Sequence, residues 1–193
     1  IEKAKKTGMA IVSVRNSNHF GIAGYYAKMA CDQGLVGMAM TNSEAIMVPT
    51  YARMAMIGSN PIALAVPAEP YPFFFDASTT VVPRGKLEVY NKMGKPLPEG
   101  WALDKDGHPS SDAKDVLKNI VAKNGGGIMP LGGNTETLGS HKGYGYGMLC
   151  EIFCSVFSQG TPSSHVNVGS KSGTCHGFMA VDPSIFGDPA AIK

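Results

Sequence analysis

The sequence predicts an α/β domain, and three neighbouring runs carry that expectation. Met9 to Arg15 is rich in β-forming residues, Ala23 to Gln33 has helical spacing and stops at Gly34, and Leu35 to Thr41 is a second apolar strand. Strand, helix and strand within about forty residues is the α/β order. Read locally, it suggests two parallel strands joined by a crossover helix.

The remaining elements follow in chain order. Ile1 to Lys6 reads as the tail of a helix closed by Gly8. Ile62 to Pro67 and Phe73 to Asp76 are short strands joined by the Pro67-Ala68-Glu69-Pro70 turn. Val81 to Met93 is predicted helical, with Pro83 in its first turn and Gly94 as its stop. Lys95 to Asp112 is rich in Pro, Gly and Asp, which marks a long surface connection, and a second glycine-rich loop runs from Gly125 to Gly139. Tyr144 to Ser158 places Met148, Leu149, Ile152, Phe153, Val156 and Phe157 at helical spacing before Gly160, so we expect a core helix there. Cys175 to Val181 is a final strand, and Ser184 to Lys193 reads as a turn into a helix. There is no internal repeat.

Composition removes several function classes. The 193 residues are enough for one well-filled core, and 44% hydrophobic with 17% charged residues describes a globular chain. A formal charge of +2 is too small to imply a nucleic-acid or anionic-membrane partner. No apolar run approaches the ~20 residues needed to cross a bilayer. Ile1 is followed by Glu2, Lys3, Lys5 and Lys6, which is not a signal-peptide pattern, so we expect a cytoplasmic protein. Cys150 and Cys154 share a helix face and read as reduced core thiols. Only Cys175-His176 is adjacent, so no metal site is expected.

Three segments can carry chemistry. Arg15-Asn16-Ser17-Asn18-His19-Phe20-Gly21 joins the first strand to the first helix, the kind of loop where α/β proteins place ligands. His19 there suits a substrate carbonyl or hydroxyl, or equally a helix cap or polar notch. Phe75-Asp76-Ala77-Ser78-Thr79-Thr80 puts a carboxylate at a strand end. It fits a ribose or a carboxamide, although a helix N-cap at Ser78 or Thr79 is the simpler reading. Gly21-x-x-Gly24 lacks the third glycine of a Rossmann fingerprint, and Gly139-Ser140-His141-Lys142-Gly143 lacks the spacing and hydroxyl of a P-loop. Even so, His141 and Lys142 stand just before a helix, where backbone N–H groups and an ammonium suit a pyrophosphate.

Taken together, the segments resemble the non-Rossmann malate/L-lactate dehydrogenase family, which includes ureidoglycolate dehydrogenase and 2,3-diketo-L-gulonate reductase. The matching pieces are Ser17-Asn18-His19-Phe20-Gly21, Thr41-Asn42-Ser43, Gly58-Ser59-Asn60-Pro61-Ile62-Ala63, Asp76-Ala77-Ser78-Thr79, Gly85-Lys86, Gly100-Trp101-Ala102-Leu103-Asp104, Pro130-Leu131-Gly132-Gly133 and His141-Lys142-Gly143-Tyr144-Gly145. They occur in family order over nearly the whole chain. A departure is Tyr51-Ala52-Arg53, where the family carries glycines after Pro49. The Thr161 to Ser172 connection is short beside the family's.

The resemblance implies a mixed, largely antiparallel sheet with helices, binding NAD or NADP without the glycine fingerprint. It implies hydride exchange between the cofactor and a small 2-hydroxyacid/2-oxoacid pair, with malate/oxaloacetate foremost, and a homodimer. His19 matches the family's acid/base or substrate-binding histidine. Ser43, Asp76, Ala77, Ser78, His141 and Lys142 match positions that hold the cofactor. Residues 1–193 are then one cofactor-binding and catalytic core. The family's N-terminal helical region, with a Ser, a His and the expected substrate arginine, and part of its C-terminal segment are expected to lie outside it. The alternatives are reduction of a lactate, ureidoglycolate or cyclic-imine type substrate, a cofactor-binding module without turnover, or a domain whose glycine loops are only connections.

Overall fold

The structure, a computed structural model, describes residues 1–168 and 172–192. Helix α1 (Glu2–Thr7) ends at Gly8 in a left-handed cap and feeds strand β1 (Met9–Ser17). Helix α2 (Ala23–Cys31) then leads to β2 (Val36–Thr41), as the periodicity predicts. Next come β3 (Ile62–Val66), β4 (Phe73–Ala77) and helix α3 (Arg84–Met93). The second half contains β5 (Ala102–Leu103), α4 (Ala113–Ala122), β6 (Gly127–Ile128), α5 (Ser140–Glu151) and β7 (Thr174–Val181). A short 3₁₀ turn and helix α6 (Pro189–Ile192) follow β7.

The parallel pair expected from the opening strand, helix and strand does not form. The main sheet has the order β1-β7-β2-β3-β4, and every neighbouring pair is antiparallel. Strands β1 and β2 do run the same way, because both pair antiparallel with β7. The crossover geometry of α2 was therefore legible, but a strand from the far end of the chain separates its two strands. The fold is mixed α and β with an antiparallel sheet.

The sheet alternates its side chains to two faces, as a pleat requires. Ala39, Ala63 and Ala65 meet Ala23, Ala27 and Cys31 of α2 on one face. Met40 and Cys175 meet Cys150 and Cys154 on the other. Small residues let α2 lie close. A Cβ at Gly37 would collide with the Ala27 carbonyl, so only glycine fits at that point of β2. A second lobe packs α3, α4 and the β5–β6 pair around Leu87, Leu97, Val116, Ile120 and Ile128.

Several boundaries and faces differ from the sequence reading. Helix α3 begins at Arg84, three residues later than expected, because Pro83 stays extended as its N-cap. The Lys95–Asp112 stretch is only partly a surface connection, since Leu97, Ala102 and Leu103 are buried. Helix α4 was not assigned from sequence. It opens on Asp112, whose side chain accepts the Asp115 N–H, and it buries Val116 and Ile120 at i, i+4 spacing.

The largest correction concerns α5. It starts at Ser140, four residues before the expected Tyr144, and continues through a π turn at Ile152–Val156. Its predicted core face is largely exposed, with Leu149 at 45% and Phe157 at 57%. The buried side is Ser140, Gly143, Gly147, Cys150, Glu151, Cys154 and Ser155. Small side chains let this helix approach the rest of the fold where large ones would hold it away.

Candidate functional site

The antiparallel register brings distant segments to one end of the sheet. Strands β1 and β2 finish there, at Ser17 and Thr41. Strands β3 and β7 begin there, and β4 ends beside the start of β3 through the Ile62–Ala77 pairing. A cleft of about 550 Å³ opens between this end and α3. Its lining includes His19, Asn42, Ser43, Ser59, Arg84 and Asn167.

His19 is exposed at this cleft on the loop into α2. The Gly21 N–H donates to its Nδ1 at 3.1 Å, so the neutral ring carries its hydrogen on Nε2. Behind it, Phe20 stacks on His176 with ring centroids 4.3 Å apart. His176 is only 3% exposed. Its Nδ1 lies 2.8 Å from Thr41 Oγ1, and its Nε2 has no partner among the described residues. Burial lowers the pKa of His176 below its ordinary value, and the nearby His19 lowers it further.

Ser43 is tied on two sides. Its N–H donates to Asn60 Oδ1 at 3.1 Å, and its Oγ accepts the Ser59 N–H at 3.1 Å. Its own hydroxyl hydrogen is left to face Ser59 Oγ, 3.4 Å away, or a ligand.

Arg84 was not singled out from sequence as a site residue, and the cleft thus carries its own guanidinium. Arg84 faces Glu44 at 3.4 Å and Glu88 at 3.1 Å, and is about one-third exposed. The legible signal was a cation directly after Pro83 at a helix start. Among the described lining residues, Arg84 is the one cation and Glu44 the one carboxylate.

The other candidate residues lie beside the cleft and do not line it. Asp76 Oδ2 accepts the Gly24 N–H at 2.7 Å and so caps α2, whose N-cap residue, Ile22, has no side-chain acceptor. Ser78 bonds Thr80, and α3 has no side-chain cap, so the expected Ser78 or Thr79 N-cap is absent. Ala77 closes β4, and Thr79 ties this segment to the cleft by donating its N–H to the Ser59 carbonyl at 2.8 Å.

His141 and Lys142 are exposed in the first turn of α5 rather than ahead of it. The Lys142 side chain folds back toward Gly139. Gly143 packs so tightly on Leu131 that a Cβ would strike its backbone, and the Leu131 N–H donates to the Thr79 carbonyl at 2.9 Å. Tyr51, at the position of the departure from the family glycines, takes φ +67°, which glycine adopts without strain. Its hydroxyl donates to Glu136.

The donor set fits an anionic dinucleotide and a carboxylate substrate. A guanidinium and hydroxyls stand in the cleft, and an ammonium stands at a helix start, linked to the cleft through Leu131, Thr79 and Ser59.

Comparison with known proteins finds relatives over the whole chain. The profile of the malate/L-lactate dehydrogenase family matches residues 1–193. Malate dehydrogenase of Pyrococcus abyssi is 50% identical over 184 residues, covering 94% of this chain and 49% of its own length. The malate/(S)-sulfolactate dehydrogenase of Methanothermus fervidus is 38% identical over 197 residues, covering 100% of this chain and 54% of its own. Malate dehydrogenase from Entamoeba histolytica superposes with a TM-score of 0.93 at 38% identity, over 100% of this chain and 54% of that one. The chain spans about half the length of the curated relatives it matches.

Proposed function

From the premise that this chain belongs to the malate/L-lactate dehydrogenase family, we propose that it forms the NAD(P)-binding and catalytic core of a 2-hydroxyacid dehydrogenase. The observation that carries the reading is the meeting of His19, Ser43 and Arg84 in one cleft at the end of the sheet. Malate and oxaloacetate are the preferred pair, because malate dehydrogenases are among the most similar relatives. With one cation in the lining, the cleft itself favours a singly anionic acid, so a lactate-type, ureidoglycolate or cyclic-imine substrate is the alternative.

A bound nicotinamide supplies or takes the hydride. The protein's part is to hold the acid and to manage one proton. Arg84 takes the substrate carboxylate in competition with Glu44. His19 presents Nε2–H to the substrate oxygen, where it polarises a carbonyl. Delivering that proton from a doubly protonated ring leaves the remaining hydrogen on Nδ1. The Gly21 N–H contact must therefore open during the cycle.

Ser43, Asp76, Ala77, Ser78, His141 and Lys142 are proposed on the cofactor side, with Asp76 also capping α2. Dinucleotide binding without a parallel Rossmann sheet is part of the proposal. No described helix is long and apolar enough to cross a membrane. We place the protein in the cytoplasm as a homodimer, with the exposed apolar strip of α5 in the interface. Sedimentation of the full-length protein tests that assembly.

The deciding experiment is a panel of oxaloacetate, pyruvate, sulfopyruvate and a cyclic imine with NADH and NADPH on the full-length protein, with His19→Asn alongside. Asn keeps a hydrogen bond but carries no transferable proton. It should lower kcat by ~10²–10⁴-fold while cofactor affinity and melting stay near wild type. Normal turnover with early melting would make His19 structural.

A further inference from the structure

The one carboxylate on the buried side of α5 is not used by the chemistry above. Glu151 is 5% exposed, and both its oxygens are occupied. Oε1 accepts Asn60 Nδ2 at 2.9 Å and the Ser163 hydroxyl. Oε2 accepts the Ser155 hydroxyl at 2.9 Å and the Ser163 N–H at 3.3 Å. Asn60 is fully buried at φ +33°, a backbone state that costs free energy in a residue other than glycine. Its Nδ2 donates also to the Gly147 carbonyl at 3.1 Å, which leaves Oδ1 facing the Ser43 N–H. The amide cannot flip without setting its NH₂ against that N–H and its oxygen against two acceptors.

We propose that Glu151 is a positioning residue for the cleft. From behind, its carboxylate ties the Ser43 wall, through Asn60, to the wall that runs from Ser163 to Val166 and Asn167. Both walls line the cleft, and they are far apart in sequence. A buried carboxylate is costly unless fully bonded, and a well-packed apolar side chain would fill the same space without that cost. Three side chains and a backbone N–H are engaged in satisfying Glu151, and what they produce is a fixed distance between the two walls. The role in turnover rests on the function proposed above; the tie itself does not.

The test uses the full-length protein. Glu151→Gln keeps the shape but turns one acceptor into a donor, so either Ser163 N–H or Asn60 Nδ2 loses its partner. Amide exchange at Ser163 or at Ser43 should accelerate roughly tenfold or more, the equivalent of one net hydrogen bond, while β2 and β3 keep their protection. Ser43→Ala should also change the NAD(P)H KM by a smaller factor in Glu151→Gln than in wild type, because the two act on one contact. Unchanged exchange at both amides, or an equal Ser43→Ala factor in both backgrounds, overturns the proposal. If the wild type reduces no 2-oxoacid, the function proposed above fails and the exchange result alone decides this one. Where Glu151→Gln does not fold, Glu151→Asp, which keeps the charge and shortens the reach, is read in the same way.

Discussion

Replacing Asp76 separates two roles for one carboxylate. Its Oδ2 accepts the Gly24 N–H at 2.7 Å, at the second residue of α2. The first N–H groups of a helix have no intrahelical acceptor, and Ile22 supplies none. Asp76→Ala removes both the acceptor and a negative charge at the positive end of the helix, a loss of about 1–2 kcal/mol. For a domain of this size, about 2–4 °C of melting temperature accompanies each kcal/mol, so the variant should melt roughly 2–8 °C lower. Asp76→Asn keeps an acceptor oxygen and loses only the charge, about 0.3–1 kcal/mol, or roughly 1–4 °C. Thermal denaturation of both variants, with a NADH and NADPH titration on each, makes the comparison. The order of melting temperatures should be wild type, Asn, then Ala. An Ala variant that melts with the wild type refutes the capping argument. An Asn variant that holds its melting temperature but loses cofactor affinity would show that the acceptor oxygen serves the cap while the charge serves the ligand.

Two further outcomes follow from the same geometry. Lys142→Ala should weaken NAD(P)H binding by ~1–3 kcal/mol, since its ammonium folds over the first turn of α5, and unchanged affinity removes Lys142 from the cofactor site. His176 has a folded pKa below its ordinary 6.5, so its unfolded state takes up a proton first as the pH falls. Stability is full above pH ~6.5 and is lost below it, by up to about 1.4 kcal/mol per pH unit, until the folded pKa is reached. His176→Phe keeps the stack on Phe20 and should flatten that acid limb in melts run from pH 8 to 5; an unchanged limb assigns the loss to other groups.

Much of this fold is written locally. Gly8 and Gly94 stop α1 and α3 because a left-handed cap favours glycine, and the runs at Met9, Ala23, Val36, Ile62, Phe73 and Thr174 take the elements their periodicity predicts. Helix α4, although not predicted above, also carries a local signal in the Asp112 cap and the Val116–Ile120 spacing. Among the candidate residues, His19 stood out from its loop and polar neighbours, and Ser43 through the family resemblance. Only the tertiary structure decided what stands beside them. No local pattern says that β7 enters between β1 and β2, because strand pairing across more than a hundred residues leaves no mark on periodicity. That pairing carries the His19, Ser43, Ser59 and Thr174 segments to one end of the sheet, where Arg84 meets them. Hydrophobic spacing also misjudged α5, because the side of the helix that fits closely is the one with the smallest residues. The lone acid in that apolar run, Glu151, was the visible hint. Its meaning required Asn60 and Ser163, which the chain alone does not place next to it.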